Sequence, residues 1–113
     1  MVFDQVGSPT YAEDLASAIL EIIRKTEEGN VPFEGGIYHY ANEGICSWYD
    51  FAVAIAELIR SNCKIKPLET KDYPTAAPRP AYSVLNKSRI KSVFSLEIPY
   101  WRDSLKKCTE RLS

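Results

Sequence analysis

Prolines at positions 9, 32, 67, 74, 78, 80 and 99 cut this chain of 113 residues into segments, and their placement dictates where helices and strands can run. Proline fixes φ and lacks a backbone N–H, so it is tolerated at helix starts, edge strands and turns but not inside helices. Between Pro9 and Pro32 lies the clearest helical stripe, Leu15, Ile19, Ile22 and Ile23, with Glu21, Arg24 and Lys25 on other faces. Thr10 and Glu13 have capping-box spacing at its start, and Gly29-Asn30 supplies the stop, which predicts a helix over 11–28.

Between Pro32 and Pro67 the run Ile37-Tyr38-His39-Tyr40-Ala41, bounded by Gly36 and Asn42, reads as a strand. Its bulky residues alternate to both faces, as in an interior strand covered on each side. Ser47 and Asp50 form a second capping-type pair, opening a helix with Phe51, Ile55, Leu58 and Ile59 on one stripe and Asn62 as its close. Val2-Phe3 reads as the end of a strand, and 64–70 as a short strand that Pro67 confines to an edge. Residues before proline avoid helical dihedrals, so 72–80 is expected to be extended and stiff. Asn86 caps a short helix through Ile90, Val93 and Phe94; a last helix follows Pro99, with Trp101, Leu105, Cys108 and Leu112 on one face. The order is that of an α/β domain: a small sheet with flanking helices.

Composition narrows the function. With 45% apolar and 26% charged residues the chain reads as one soluble globular domain. Fourteen basic against fifteen acidic residues leave no basic stripe for a nucleic acid, and no apolar run reaches the length of a membrane span. The start lacks a signal-peptide pattern, so a cytoplasmic location is expected. Three cysteines, Cys46, Cys63 and Cys108, without CxxC spacing and with a single histidine, argue for reduced thiols rather than disulfides or a metal site.

No glycine-rich dinucleotide turn, Walker loop or HExxH occurs. His39, mid-strand between tyrosines, is expected to be a satisfied core histidine, and Tyr38 and Tyr40 to be packing residues. Asn86-Lys87-Ser88 matches a glycosylation sequon but is read as a helix cap. Two loops remain as candidate sites. In 4–10, Gln5 offers a donor and an acceptor, Gly7 permits close approach, and a helix N-terminus follows. In Pro78-Arg79-Pro80 the backbone is stiff, so a guanidinium stands ready for bidentate contact with phosphate oxygens. A plain helix start and a surface arginine in a salt bridge are the alternatives.

Five segments then carry a resemblance. Residues 4–16, DQVGSPTYAEDLA, resemble the DQxGxPTxxxDLA segment of dTDP-4-dehydrorhamnose reductases. Residues 36–42, GIYHYAN, are similar to their GxYHxAN strand, and 47–52, SWYDFA, to SWYEFA. Residues 79–85, RPAYSVL, resemble RPxxSxL, and 99–102, PYWR, the closing PxWR. The resemblance implies the C-terminal substrate-binding part of an extended short-chain dehydrogenase/reductase, over residues 1–113, without the N-terminal Rossmann half.

On that resemblance, the parent enzyme reduces dTDP-4-dehydro-L-rhamnose to dTDP-L-rhamnose with NADPH or NADH. The cofactor and the catalytic Tyr and Lys belong to the Rossmann half, so this chain is expected to hold no catalytic, cofactor or metal residue and not to catalyse alone. Arg79 becomes the candidate for the diphosphate, Gln5 and Thr10 for the cleft wall near the sugar, and Tyr82 and Ser83 for further substrate contacts. A Rossmann domain is the implied partner, and a homodimer through the exposed domain face is a further expectation. The alternative is a non-catalytic regulatory or binding subunit on the same fold, as the regulatory subunit of methionine adenosyltransferase illustrates. A self-contained α/β interaction module is a third reading.

Overall fold

The computed structural model describes residues 1–32 and 34–112. Its order is β1 (Val6–Gly7), α1 (Ala12–Glu27), β2 (Cys46–Ser47), α2 (Trp48–Leu58), a 3-10 turn at Thr70–Asp72, α3 (Ser88–Phe94) and α4 (Trp101–Leu112). This is the α/β class the segment pattern implied, with a sheet reduced to its minimum. β1 pairs antiparallel with β2, Val6 opposite Ser47 and Gly7 opposite Cys46. On its other side β1 takes residues 81–83: Val6 N–H donates to Ala81 O at 2.8 Å, and Ser83 N–H donates to Val6 O at 3.0 Å. The loop expected over 4–10 therefore contains the central strand of the sheet.

α2 forms as its capping pair dictates. Ser47 Oγ accepts from Asp50 N–H at 3.0 Å while the Asp50 carboxylate accepts from Ser47 N–H at 3.1 Å. Its stripe of Phe51, Ile55 and Leu58 packs on the core of Cys46, Ala54, Trp101 and Leu105, with Phe51 and Trp101 edge to face at 6.1 Å. Gly44, at φ +92°, lets the chain pass under α4; a Cβ there would sit 2.8 Å from the Trp101 ring. Trp101 and Leu105 of the last stripe are buried, whereas Leu112 at its end is exposed. α2 ends at Leu58, capped by Ile59, rather than at Asn62, and Arg60 beyond it turns left-handed at φ 55°.

One side chain fastens the helices together. Asn42, fully buried, accepts Tyr11 N–H at its Oδ1 (2.9 Å). Its Nδ2 donates to Asp14 Oδ2 (2.7 Å), Ser104 Oγ (2.9 Å) and Pro99 O (3.2 Å). Ser104 closes the ring by donating to the same Asp14 oxygen. Beside it, Glu43 is paired with Lys87 and Lys91, each at 2.8 Å; Lys87, then Lys91, hold its carboxyl below the usual range.

Asn42 also explains one departure from the sequence reading. α1 spans almost the predicted residues, but the Thr10–Glu13 capping box does not form. Tyr11 is the N-cap, without a side-chain cap, and Asn42 takes its N–H. Glu13 instead accepts from Tyr11 Oη at 2.7 Å and pairs with Arg111.

Residues 36–41 run extended but pair with no strand among the described residues, so the interior strand is absent and His39 is exposed rather than core. Tyr38 does pack, against Phe94 at 5.1 Å and under the Arg89 guanidinium at 4.5 Å. The strands expected at Val2-Phe3 and 64–70 reduce to one parallel bridge, Val2 with Leu68, because the chain turns at Thr70. Asn86 is not the N-cap of α3: that position falls to Lys87, which has no side-chain cap, and Asn86, one residue earlier, accepts Ser88 N–H at its Oδ1 (2.9 Å) in a local turn. No described helix is long and apolar enough to cross a membrane.

Candidate functional site

The short sheet opens a cleft of about 340 Å³. Residues 5–9 form its floor, β2 and the start of α2 form one wall through Cys46, Ser47, Trp48 and Phe51, and Arg79, Pro80 and Ser83 form the other. Both walls are hydrogen-bonded to β1, so two segments some 35 residues apart in sequence converge on one strand.

Gln5 is buried and donates through Nε2 to Thr70 Oγ1 at 3.3 Å. That threonine is itself fixed: its hydroxyl donates to Asp4 Oδ1 at 2.6 Å and its N–H to the same carboxylate at 2.9 Å. The hydroxyl contact first, then the N–H, hold the Asp4 carboxyl below its ordinary value. Gln5 thus reaches the cleft from an anchored backbone. On the opposite side, Ser83 Oγ lies 3.2 Å from Val6 O, to which it donates. A Cβ on Gly7 would come within 2.9 Å of that Oγ, which is why a glycine stands there.

Arg79 is exposed, lines the cleft, and makes no ion pair among the described residues. The salt-bridge alternative for it is thereby removed. Of the sequence-derived candidates, Gln5, Arg79 and Ser83 come together here. Thr10 does not line the cleft: it donates to Ser8 O at 3.1 Å and accepts Asn42 N–H at 3.3 Å. Tyr82 also lies outside the lining, with its ring exposed and its backbone bridged to Val6.

Sequence reasoning looked to the N-terminus of α1, but the cleft lies at that of α2, where the Asp50 carboxylate already caps the first turn. It also missed Trp48. This residue precedes Phe51 by one turn on the same stripe, so spacing alone reads it as core, yet it is about half exposed at the cleft. Cys46, one of the three cysteines expected to be reduced thiols, is buried. Burial first, then Asp50, pushes its thiol up to about 11. Cys46 is therefore expected to resist alkylation at pH 8, its rate rising about tenfold per pH unit, while exposed Cys63 reacts at once. Mass-resolved iodoacetamide labelling of the two thiols checks this.

The described residues do not fit a dinucleotide. A cradle needs clustered glycines between a strand and a helix. Here Gly36 opens an extended segment, and Gly7 is closed off by Ser83. No group of three or more His, Cys, Asp or Glu among the described residues is placed to hold a metal ion.

A family model described as RmlD substrate binding domain matches residues 1–113. The spore coat polysaccharide biosynthesis protein SpsK of Bacillus subtilis is 39% identical over 113 residues, all of this chain and 37% of that protein. The dTDP-4-dehydrorhamnose reductase of Aggregatibacter actinomycetemcomitans is 39% identical over 112 residues, 94% of this chain and 38% of its own length. Among solved structures, dTDP-4-dehydrorhamnose reductase of Bacillus anthracis in complex with NADP superposes with a TM-score of 0.84 at 30% identity. That match covers 99% of this chain and 37% of the reductase. The chain thus spans less than two fifths of the length of each of these relatives.

Proposed function

The chain belongs to the RmlD substrate binding domain family, and on that basis we propose that it is the sugar-nucleotide-holding domain of a dTDP-4-dehydrorhamnose reductase. The parent reaction reduces the C4 ketone of dTDP-4-dehydro-L-rhamnose to dTDP-L-rhamnose in the cytoplasm. NADPH or NADH supplies the hydride when bound, and since the described residues form no glycine-rich dinucleotide cradle we assign it to a second, N-terminal domain. Alone, this chain binds and orients but does not reduce.

The observation that carries the reading is Arg79, a guanidinium with no carboxylate partner among the described residues, at a cleft also lined by buried Gln5 and by Ser83. A diphosphate offers the paired oxygens such a fork takes in two parallel hydrogen bonds. Gln5 and Ser83 provide neutral donors and acceptors of the kind sugar hydroxyls need, and Trp48 offers an aromatic face beside them. Holding the sugar nucleotide in one pose is the contribution this domain makes to the chemistry, since orientation alone is worth several kcal/mol of barrier, roughly 7–11 in favourable cases. Thr10 and Tyr82 adjoin lining residues and are assigned no direct contact.

Titrating dTDP, dTMP and thymidine into the chain while following backbone amide shifts tests the reading. Amides over 5–8 and 79–83 are expected to shift with dTDP, less with dTMP, and hardly with thymidine. Equal shifts with thymidine, or shifts confined elsewhere, would overturn it.

A further inference from the structure

We propose that Asp4 and Thr70 are positioning residues for the sugar-nucleotide cleft: they fix the Gln5 amide so that its carbonyl oxygen faces the cleft as an acceptor for a hydroxyl of the bound sugar. The inference deepens the proposed function and rests on it for the ligand. The orientation of the amide follows from hydrogen-bond chemistry within the chain.

The backbone brings the three residues together. Leu68 N–H donates to Met1 O at 2.7 Å and Phe3 N–H to Leu68 O at 3.0 Å, so the segment before Thr70 runs beside the start of the chain. Thr70 then opens the 3-10 turn, with its hydroxyl in reach of both the Asp4 carboxylate and the Gln5 amide.

Counting protons fixes the amide. The Asp4 carboxyl, held below its ordinary value first by the Thr70 hydroxyl and then by the Thr70 N–H, is ionised at neutral pH and can only accept. Thr70 Oγ1 lies 2.6 Å from Asp4 Oδ1, and the one proton of the hydroxyl goes to that carboxylate. Toward Gln5, 3.3 Å away, Thr70 is left with lone pairs alone. The amide therefore turns Nε2 to Thr70, because the flipped amide would set two acceptors against each other. Gln5 is buried, so little water is at hand to satisfy a flipped amide. Its Oε1 accepts no hydrogen bond among the described residues, yet it is not one of the polar atoms sealed from solvent without a partner. It opens into the cleft that Gln5 lines.

The hydroxyls around it carry the same polarity. Ser8 Oγ donates to Gly44 O at 2.6 Å, Ser47 Oγ to Asp50 Oδ2 at 3.0 Å and Ser83 Oγ to Val6 O at 3.2 Å. All three line the cleft, and each commits its one proton inside the protein. The neutral side chains thus meet a ligand chiefly as acceptors, whereas the Arg79 guanidinium supplies donors and no acceptor. A diphosphate carries acceptors only and belongs with Arg79. A sugar carries hydroxyl protons and belongs with Gln5 and the serines. This division orients the ligand along the cleft and selects free hydroxyls over alkylated, acylated or fluorinated ones.

Calorimetric titration of the chain with dTDP-L-rhamnose, and with analogues bearing fluorine in place of the C2 or C3 hydroxyl, tests the proposal. Fluorine is close to a hydroxyl in size but has no proton to donate. The hydroxylated ligand is expected to bind about 3- to 10-fold tighter than at least one analogue, the difference that one neutral hydrogen bond makes. Thr70→Val keeps the N–H tie to Asp4 and the side-chain volume. In that variant the preference should fall below about twofold while the Kd for dTDP stays unchanged, and Thr70→Ser should restore it. No preference in the wild-type chain, or an undiminished one in the valine variant, would overturn the proposal. So would equal weakening of dTDP itself, the mark of a merely structural role. Nuclear Overhauser contacts between the Gln5 Nε2 protons and Thr70 Hβ give a readout without ligand, and their absence from the wild-type chain overturns the fixed amide whether or not the valine variant folds. If no nucleotide binds and those contacts are present, the sugar-nucleotide reading fails and the Thr70 arrangement stands. If dTDP binds and the preference survives in Thr70→Val, only the positioning role fails.

Discussion

Asn42→Leu is expected to destabilise the chain more than any other single exchange of similar volume, by about 3–4 kcal/mol. The side chain is fully buried and is the shared partner of the α1 entrance, Asp14, Ser104 and the Pro99 carbonyl. Leucine fills the space but leaves Tyr11 N–H without its acceptor and the Asp14 carboxylate without its amide donor. Such orphaned buried groups cost their full desolvation, and the consequence is a melting temperature lower by roughly 15 °C. Asn42→Asp separates hydrogen bonding from packing. It keeps the Oδ1 acceptor but sets a carboxylate against Asp14, so its deficit is expected to be at least as large at neutral pH. Like charges raise the pKa of one carboxyl of the pair, so that deficit narrows as pH falls toward 5 and a proton is shared. Thermal melts of both variants at pH 7 and pH 5 check this. A leucine variant melting within a few degrees of the parent would show that the network holds little together.

Arg79→Gln carries the second large effect, on binding and not on folding. Arg79 is exposed and makes no ion pair among the described residues, so its loss should leave the melting temperature unchanged. Charge-assisted contact with a diphosphate is worth about 1.5–3 kcal/mol, so the Kd for dTDP should rise roughly 10- to 100-fold. Arg79→Lys keeps the charge but loses the fork, and falls between. In the complete reductase the lysine variant is expected to raise KM more than it lowers kcat, because the diphosphate is held alike in ground and transition states. Calorimetric titration with dTDP measures the first effect and steady-state kinetics the second. Unchanged affinity and KM would remove Arg79 from the site.

What could be read in the sequence was what depends on local rules. The α2 capping box, the stop at Gly29 and most of the α2 and α4 stripes follow from spacing, and the structure contains them, although Ile59 and Leu112 at the stripe ends are exposed. Three features depended on distant partners and were not legible. Thr10 and Glu13 have the right spacing for a cap, yet Asn42, some thirty residues on, reaches the helix first. Val6-Gly7 has no strand signature; it becomes a strand because Cys46-Ser47 and residues 81–83 arrive on either side. Residues 36–41 have the strand signature and, among the described residues, no strand to pair with.

The candidate site divides in the same way. Gln5 and Arg79 were legible because an amide and a guanidinium suit ligand chemistry, whereas Ser83 came only from the family resemblance; the structure places all three at one cleft. Trp48 was missed because an aromatic on an apolar stripe reads as core, and only the exposed start of α2 places it at the cleft. Thr10 was carried in by its motif neighbours, although its hydroxyl is engaged with Ser8 and Asn42.

A structure of the chain with dTDP-L-rhamnose tests the central claim most directly. The account expects the diphosphate within hydrogen-bond distance of the Arg79 guanidinium, with Gln5 and Ser83 lining the same ligand. A nucleotide seated away from the β1 cleft, with Arg79 untouched, would contradict it.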